Sequence, residues 1–346
     1  MVSFESDYNN GAHREVLRHL VETNGKETLT YGLDEYSQRA KEKIAKACGT
    51  AAEDVFLLSG GTQTNATVID AMLRSYEAVV CPETGHINVH EAGAVEAFGH
   101  KVIALPQEDG LLLPSTLENF MQGFERDESR DHVAQPGMVY VSFPSEMGTI
   151  YTAAQLAELY DCCRRHGLSL FVDGARLGYG LAAPGCDIDL PFLAAHCDVF
   201  YIGGTKLGAL CGEAVVFTHG NTPRCFFTIV KRHGALLAKG RLIGVQFDAL
   251  FTNNLYYHIS RHAIDMAESL RGVMADAGLR FFVDSPTNQQ FVIIPNEMVE
   301  RLEEYVSFIR WQPYDNENTV CRFVTSWATT PKDIFQLTAL LTFGQL

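Results

Sequence analysis

An aspartate and a lysine follow two apolar stretches and have the chemistry to act together. Residues 168–172 precede Asp173, and residues 199–202 precede Lys206, which lies 206 − 173 = 33 positions further along the chain. Each stretch is typical of a strand buried on both faces in a parallel sheet. Parallel strands end at a shared edge of the sheet, where ligands bind. We therefore expect Asp173 and Lys206 to meet at a ligand site.

This pair of residue types suits pyridoxal 5′-phosphate. A lysine amine can bond covalently to the cofactor, and an aspartate can pair with its protonated ring nitrogen, which makes the ring an electron sink. Taken singly, Asp173 is also explained as the cap of a following turn, and Lys206 as a solvated loop lysine. The strands in front of both residues favour the cofactor site.

The apolar stretches predict an α/β fold with a seven-stranded, mostly parallel sheet and helices on both faces. The strands are centred on Val55, Val79, Val102, Val139, Phe171, Phe200 and Val215. A long helix and three further strands predict a small α+β domain at the C-terminal end. We place the N-terminal segment and the large cofactor-binding domain in residues 1–246, and the small domain in residues 247–346.

A glycine-rich turn follows the first strand of the predicted sheet. Gly60 and Gly61 precede Thr62, Gln63 and an apolar helix. Glycines allow close approach of the backbone, and the free N–H groups at a helix start can bind a phosphate. The turn matches neither the nucleotide P-loop nor the dinucleotide pattern Gly-x-Gly-x-x-Gly. A plain tight turn has the same composition, so both interpretations stay open.

Two histidines and an acid, namely His86, His90 and Glu91, lie within six positions. As metal ligands, the histidines lack the glutamate next to the first of them that a zinc-hydrolase helix requires. A flat imidazole stacked on a cofactor ring fits His86 better, although a structural histidine remains an alternative for both. We therefore predict no metal at this site.

The composition narrows the class of ligand and the compartment. A net charge of −15, without a block of lysine and arginine, argues against a nucleic-acid partner. Nine cysteines without a Cys-x-x-Cys pair favour reduced thiols and a cytoplasmic location. No apolar run reaches the roughly 18 residues of a membrane span. We expect a soluble protein that acts on a small molecule.

Several motifs together extend over nearly the whole chain. They are Ser6-Asp7, Tyr31-Gly32, the loop at 59–65, His86 with Glu91, Asp173-Gly174-Ala175-Arg176, Lys206, and the segment at 322–325. On these motifs the chain resembles the family of threonine aldolases and aromatic amino acid β-eliminating lyases. Those proteins are fold-type I pyridoxal-phosphate enzymes with an aspartate aminotransferase-like fold. The resemblance implies homodimers or homotetramers with sites at the subunit interface.

The resemblance also implies roles for individual residues. Lys206, Asp173 and His86 would be catalytic: Lys206 would bind the cofactor covalently, Asp173 would pair with the ring nitrogen, and His86 would stack on the ring. The remaining cofactor-binding positions would be Gly61, Thr62, Gln63 and Arg176. The positions that bind the substrate would be Ser6, Arg176, Arg322 and Tyr31.

The expected reaction cleaves L-threonine, L-allo-threonine or a related β-hydroxy-α-amino acid into glycine and an aldehyde. Residues 143–148 differ from the family, because Ser145 and Glu146 lie where the better-known aldolases have Thr-His-Asn. This difference favours β-elimination from another amino acid as the alternative. A nucleotide-dependent oxidoreductase and a non-catalytic binding protein are the rivals from other classes. We hypothesise that His86 takes the proton of the substrate hydroxyl, directly or through a water near Ser145 and Glu146.

Overall fold

The computed structural model describes residues 2–343, which fold into strands and helices in the following order. The strands are β1 Val2–Ser3, β2 Val55–Leu58, β3 Glu77–Pro82, β4 Val102–Leu105, β5 Gln135–Ser142, β6 Ser169–Asp173, β7 Val199–Gly203, β8 Glu213–Phe217, β9 Arg280–Phe281, β10 Gln289–Pro295, β11 Val306–Ser307, β12 Ile309–Pro313 and β13 Asn318–Val324. The helices are α1 Arg14–Thr23, α2 Glu35–Cys48, α3 Gly61–Met72, α4 His86–Val89, α5 Pro114–Arg126, α6 Ala153–Arg165, α7 Leu177–Leu181, α8 Leu190–Ala195, α9 Phe226–Arg232, α10 Arg241–Leu250, α11 Leu255–Asp276, α12 Asn296–Glu303 and α13 Pro331–Phe343.

The large sheet contains the seven predicted strands in the order β2-β8-β7-β6-β5-β3-β4. Strand β8 runs antiparallel to both of its neighbours, β2 and β7. The other neighbouring pairs in this sheet are parallel. The predicted fold class is therefore confirmed.

Alternate residues of the central strands face two different hydrophobic cores. In β6, Leu170 and Val172 belong to one cluster, whereas Phe171 belongs to the cluster on the opposite face. Successive side chains of a strand point to opposite faces, so a sheet covered on both sides requires an unbroken apolar run. This arrangement explains why the stretches before Asp173 and Lys206 carry no charge.

Local signals fix the ends of several helices. Helix α2 begins after Asp34, whose Oδ1 accepts hydrogen bonds from the backbone N–H groups of Tyr36 and Ser37 at 3.1 and 2.9 Å. It ends at Gly49, which has a φ of 73°. The side chains of Thr152 and Gln155 form a capping box at the start of α6. Residues next to these helix ends in the chain therefore determine where the helices begin or end.

The C-terminal part of the chain forms a second sheet with strand order β12-β13-β10-β9. The N-terminal strand β1 pairs in parallel with β11, through Val2 with Val306 and Ser3 with Ser307. Phe4 also packs in the hydrophobic cluster of this part. The beginning of the chain thus lies against its C-terminal part, and helix α10 continues across position 246. The division at residues 246 and 247 stays a prediction.

Two further expectations concern the whole chain. All nine cysteines are free thiols. Among residues 2–343, none of the helices combines the length and the apolar character needed to cross a membrane.

Candidate active site

Strands β6 and β7 bring the predicted aspartate and lysine together. They are parallel neighbours, and each is followed by a glycine-containing turn at the same edge of the sheet. The N–H of Gly203 donates to the carbonyl of Gly174 at 2.9 Å. A Cβ atom on Gly174 would lie 1.8 Å from the carbonyl oxygen of Tyr201, and one on Gly203 would lie 2.3 Å from that of Ala175. Only glycine therefore allows the two turns to approach so closely.

A cavity of about 310 Å³ opens at this edge of the sheet. It is lined by Tyr8, Ser59, Gly60, Gly61, Thr62, His86, Glu146, Asp173, Ala175, Tyr201, Thr205, Lys206, Cys211 and Glu213. Five of the predicted site residues line it: Gly61, Thr62, His86, Asp173 and Lys206. The amine of Lys206 lies 5.8 Å from the ring centroid of Tyr8.

Asp173 is a buried carboxylate with four hydrogen-bond donors around it. Its Oδ1 accepts from the hydroxyl of Tyr201 at 2.5 Å and from the N–H of Ala175 at 2.9 Å. Its Oδ2 accepts from the hydroxyl of Tyr140 at 2.5 Å and from the amide of Asn65 at 2.9 Å. These donors hold the carboxylate in one orientation at the cavity wall.

The same contacts keep Asp173 ionised, although its exposed fraction is only 3%. Burial raises the pKa of this carboxyl, but the charge of His86 and the hydrogen bonds from Tyr140 and Tyr201 lower it below its ordinary value. Asp173 therefore presents a negative charge to the cavity, as partner for a protonated ring nitrogen.

A chain of hydrogen bonds joins His86 to Asp173. The Nδ1 atom of His86 lies 2.7 Å from Oε1 of the buried Glu91. The amide nitrogen of Asn65 donates to the same Glu91 oxygen at 2.7 Å, and to Asp173 at 2.9 Å. Because a carboxylate only accepts, Nδ1 of His86 carries the proton of this hydrogen bond. The ring of His86 is thereby fixed with its Nε2 atom free of this contact.

The surroundings of His86 also determine its charge. Burial lowers its pKa, but the hydrogen bond to Glu91 and the charges of Glu146 and Asp173 raise it above the ordinary histidine value. The imidazole is consequently protonated over a wider pH range than in an exposed histidine.

The glycine-rich turn ends at the N-terminus of α3, and this end of the helix faces the cavity. Gly60 precedes the helix, which has no side-chain cap at this end. The Gln63 side chain does not line the cavity. It accepts a hydrogen bond from Ser59 and donates to the carbonyl of His233 at 3.2 Å. Backbone N–H groups of the first turn, near Gly61 and Thr62, are thus available to bind an anion.

Arg176 lies next to the cavity and forms a buried ion pair. Its Nε and Nη2 atoms donate to the two carboxylate oxygens of Asp7 at 2.7 and 3.0 Å. The amide of Asn288 donates to the same carboxylate at 2.9 Å. Asp7 therefore occupies the Nε/Nη2 edge of Arg176, a residue that the resemblance assigns to the substrate and the cofactor.

Arg322 differs from Arg176, because it forms no ion pair within residues 2–343. Its Nη1 donates to Gln289 at 3.5 Å, its guanidinium lies 5.3 Å from the ring centroid of Trp311, and its buried Nε has no hydrogen-bond partner. Burial and the positive charge of Arg176 lower the pKa of Arg322. An arginine stays charged in proteins, so this side chain offers a free donor edge to an anion.

Comparison with known proteins assigns the chain to a family. The family model described as β-eliminating lyase matches residues 4–310. The chain belongs to the β-eliminating lyase family. It is therefore a lyase of the pyridoxal 5′-phosphate-dependent type, as the sequence predicts.

Similar members of this family are threonine aldolases. A low-specificity L-threonine aldolase from a Pseudomonas species is 28% identical over 340 residues, which cover 97% of this chain and 96% of that protein. The solved structure of a threonine aldolase from Leishmania major is 36% identical, with a TM-score of 0.95 and coverage of 99% and 98% of the two chains. An aspartate aminotransferase from Thermus thermophilus, 14% identical with a TM-score of 0.71, shares the fold. The predicted family and fold type I are thus confirmed.

The side chains that line the cavity of this lyase fit the chemistry of the family's cofactor. An ionised, buried aspartate, a lysine amine and a helix N-terminus without a cap line the same space. These groups match three polar parts of pyridoxal 5′-phosphate, namely the ring nitrogen, the aldehyde and the phosphate.

None of the four residues that the resemblance assigns to the substrate is among those that line this cavity. Two of them, Ser6 and Tyr31, border other pockets. Ser6 borders a separate polar groove, and its Oγ accepts from the N–H of Tyr8 at 3.4 Å. Tyr31 packs near Phe56 and Leu236, and the amine of Lys231 lies 4.6 Å from its ring centroid. The neighbouring residues Asp7 and Tyr8, rather than Ser6, extend toward the site. In this position Tyr31 does not line the cavity of its own subunit.

The segment that departs from the family contributes one side chain to the cavity. Glu146 lines it and accepts from the hydroxyl of Ser142 at 3.2 Å. The Ser145 hydroxyl lies 2.6 Å from that of Thr149 and accepts from the N–H of Met147 at 3.2 Å. Ser145 thus stabilises its own turn, and Glu146 is the residue of this segment that lines the cavity.

The sequence analysis does not predict several contacts at the site. The sequence analysis assigns no role to Tyr140 or Tyr201, although a tyrosine in a buried strand needs a partner for its hydroxyl, and this need is the available signal. Asp7 belongs to the Ser6-Asp7 motif, but no local pattern shows that it pairs with Arg176, which lies 169 positions further along the chain, or with Asn288.

A separate group of ligating side chains lies at the contact between α5 and α6. The ligating atoms of Glu118, Cys162 and His166 lie within 4.8 Å of one another. The Oε2 atom of Glu118 accepts a hydrogen bond from Nη2 of Arg165 at 2.8 Å and another from the Cys162 thiol at 3.5 Å. We interpret this group as an ion-pair and hydrogen-bond network between two helices.

Proposed function

We propose that this lyase cleaves L-threonine, L-allo-threonine or a related β-hydroxy-α-amino acid into glycine and an aldehyde. The observation that carries the proposal is one cavity that combines Lys206, Asp173 and His86 with the open end of α3. The similarity of nearly the full chain to threonine aldolases supports the same reaction.

In this proposal the cofactor is bound at three points. Lys206 holds it covalently, Asp173 pairs with the protonated ring nitrogen, and the N–H groups near Gly61 and Thr62 hold the phosphate. When bound, pyridoxal 5′-phosphate supplies an electron sink for the bond that breaks at the substrate Cα. Because Asp173 is fixed by four donors, its charge needs no reorientation during the reaction.

Arg322 binds the carboxylate of the amino-acid substrate. Its guanidinium is largely buried and without an ion pair in the described chain, so an incoming carboxylate would compensate its charge. Asp7 already pairs with the Nε and Nη2 atoms of Arg176, so in this proposal Arg176 would contact the substrate carboxylate or the cofactor through Nη1. A carboxylate held at one point restricts which bond of the substrate faces the cofactor.

His86 takes the proton of the substrate hydroxyl. Its Nδ1–H is held by Glu91, which leaves Nε2 as the acceptor when the ring is neutral. Glu146 lines the same cavity in place of the family's histidine, and it is the alternative base. His90, whose ring centroid lies 5.6 Å from that of His86, supports the orientation of the ring.

The remaining proposals concern the assembly and the compartment. By its resemblance to the family we propose a homodimer or homotetramer, with sites at the subunit interface, that acts in the cytoplasm. Size-exclusion chromatography with light scattering tests the assembly, because a monomer that retains full activity would contradict it.

One assay separates the proposed reaction from its alternative. The purified protein with pyridoxal 5′-phosphate is incubated with L-threonine, L-allo-threonine and L-serine, and the products are quantified. We expect glycine and acetaldehyde from both threonine isomers. Ammonia and a 2-oxo acid as the main products would instead establish β-elimination, which the exchange of the family's histidine for Glu146 favours. The Lys206→Ala variant is the control for contaminating activity.

A further inference from the structure

A buried carboxylate at the start of β8 lies directly beneath the turn that carries Lys206. Glu213 is the first residue of this strand, it pairs with Gly203 across the antiparallel register, and its exposed fraction is 3%. A charged residue is costly in a central strand unless hydrogen bonds compensate it. The partners of Glu213 therefore indicate what it does.

Both oxygens of Glu213 accept hydrogen bonds from the two residues that precede Lys206. Oε2 accepts from the N–H of Gly204 at 3.0 Å, and Oε1 accepts from the hydroxyl of Thr205 at 2.8 Å. That hydroxyl in turn accepts from the N–H of Gly212 at 3.2 Å. One side chain thus ties the turn before Lys206 to the opposite strand.

We propose that Glu213 is the positioning residue for Lys206, holding the Gly204–Thr205 turn so that the amine faces the cofactor cavity. This role rests on the proposed function of Lys206. On the other side of the lysine, the hydroxyl of Tyr179 donates to the Lys206 carbonyl at 2.6 Å. The backbone is therefore held just before and at the lysine, while its side chain stays free to react.

The hydrogen bonds, rather than the charge, perform this role. Burial raises the pKa of Glu213 to about 7, so that both protonation states occur near neutrality. Either state keeps an oxygen that accepts from Gly204. The titratable groups that interact electrostatically with this carboxyl are Lys206, Asp173, Tyr201, Cys211 and Tyr256. A glutamine at this position should therefore substitute for the acid.

The test compares five variants in the full-length protein without added substrate. Glu213→Ala removes both acceptors, and Glu213→Gln keeps the hydrogen-bonding shape without the charge. Asp198→Ala is the matched control, because Asp198 is a buried acid at the opposite end of β7 that accepts from the N–H of Leu170 at 2.8 Å. Thr205→Val removes one of the two contacts if Glu213→Ala does not fold, with Thr205→Ser as its control.

Two readouts report on Lys206 itself. The first is the rate at which the apoprotein binds pyridoxal 5′-phosphate at Lys206, measured by borohydride reduction and peptide mass spectrometry. The second is the rate of Lys206 acetylation by acetic anhydride in the apoprotein. Misplacing a reacting group by about 1 Å costs about 10²-fold in rate, so we expect about 10²-fold slower cofactor capture in Glu213→Ala. Glu213→Gln should stay within about threefold, with the pH profile of the wild type, and Thr205→Val should fall between them.

The outcomes separate this role from the proposed function. Attachment of the cofactor to another lysine in the wild-type protein overturns the function of Lys206 and this role with it. Normal attachment in the wild type, with equally fast capture in Glu213→Ala or Thr205→Val, overturns only the role of Glu213. Slowing of the same size in Asp198→Ala also overturns it, because the effect would then reflect general destabilisation.

Discussion

The buried pair of Asp7 and Arg176 gives a stability prediction that can be worked through from the structure. Both side chains are buried and share two hydrogen bonds, at 2.7 and 3.0 Å. The substitution Asp7→Asn preserves the size of the side chain but leaves the Arg176 charge unpaired. Breaking such a pair from one side typically costs about 3–5 kcal/mol. Because asparagine keeps one acceptor oxygen, we expect the lower end, about 3 kcal/mol.

This free energy converts into a measurable midpoint. At about 2.1 cal/mol/K per residue, a chain of 346 residues has an unfolding entropy of about 0.7 kcal/mol/K. A loss of about 3 kcal/mol therefore lowers Tm by about 4 °C. The assay is thermal unfolding of the apoprotein followed by circular dichroism, together with urea titration at pH 7. Glu15→Gln, which breaks an exposed ion pair with Arg18, is the control and should leave the midpoint unchanged.

The pH dependence of this difference follows from the pKa of Asp7. Burial raises this pKa, but the charges of Arg176 and Lys206 and the hydrogen bonds of Asp7 lower it below its ordinary value. A depressed folded pKa gives stability that is fully present above the unfolded value of about 3.9, and that is lost as pH falls through the folded pKa. The gap between wild type and Asp7→Asn should therefore persist down to about pH 4 and narrow below it.

A double variant decides whether the unpaired charge causes the loss. In Asp7→Asn/Arg176→Met the charge is absent, so most of the stability lost in the single variant should return. Two results would contradict this contribution of the ion pair. In the first, Asp7→Asn unfolds at the wild-type midpoint. In the second, the double variant is less stable than Asp7→Asn by the full free-energy cost of a second, independent substitution.

The other predictions concern the reaction. Lys206→Ala should abolish turnover and keep the circular dichroism spectrum of the wild type; cofactor found on a different lysine after borohydride reduction would contradict this. Asp173→Asn should bind the cofactor, measured by absorbance, and lose most activity, whereas near-normal turnover would mean that Asp173 does not serve the ring nitrogen. His86→Phe should retain the cofactor and slow aldehyde release by about 10²-fold, and full activity would leave His86 with stacking alone. Glu91→Gln should lower the pKa of His86 and shift the acid limb of kcat/KM to lower pH; an unmoved limb would exclude His86 as the titrating base.

The sequence by itself determined the elements of the large sheet and the edge at which the site lies. Strands such as β6 and β7 are recognisable because burial on both faces requires an unbroken apolar run, which is a property of neighbouring residues. The ends of α2 and α6 are equally local, since a cap contacts the backbone of its own first turn. Asp173 and Lys206 could be located because Asp173 directly follows such a run and Lys206 follows the short glycine turn at the end of the next one.

Only the tertiary structure decided which side chains hold these residues in place. Asn65 links Glu91 with Asp173, which lies 108 positions away, and Asp7 is joined to Arg176 across 169 positions. The choice of a long-range partner depends on how sheets and helices pack, and no local pattern records it. For the same reason the pairing of β1 with β11 was not predictable, because a two-residue strand carries no periodicity of its own.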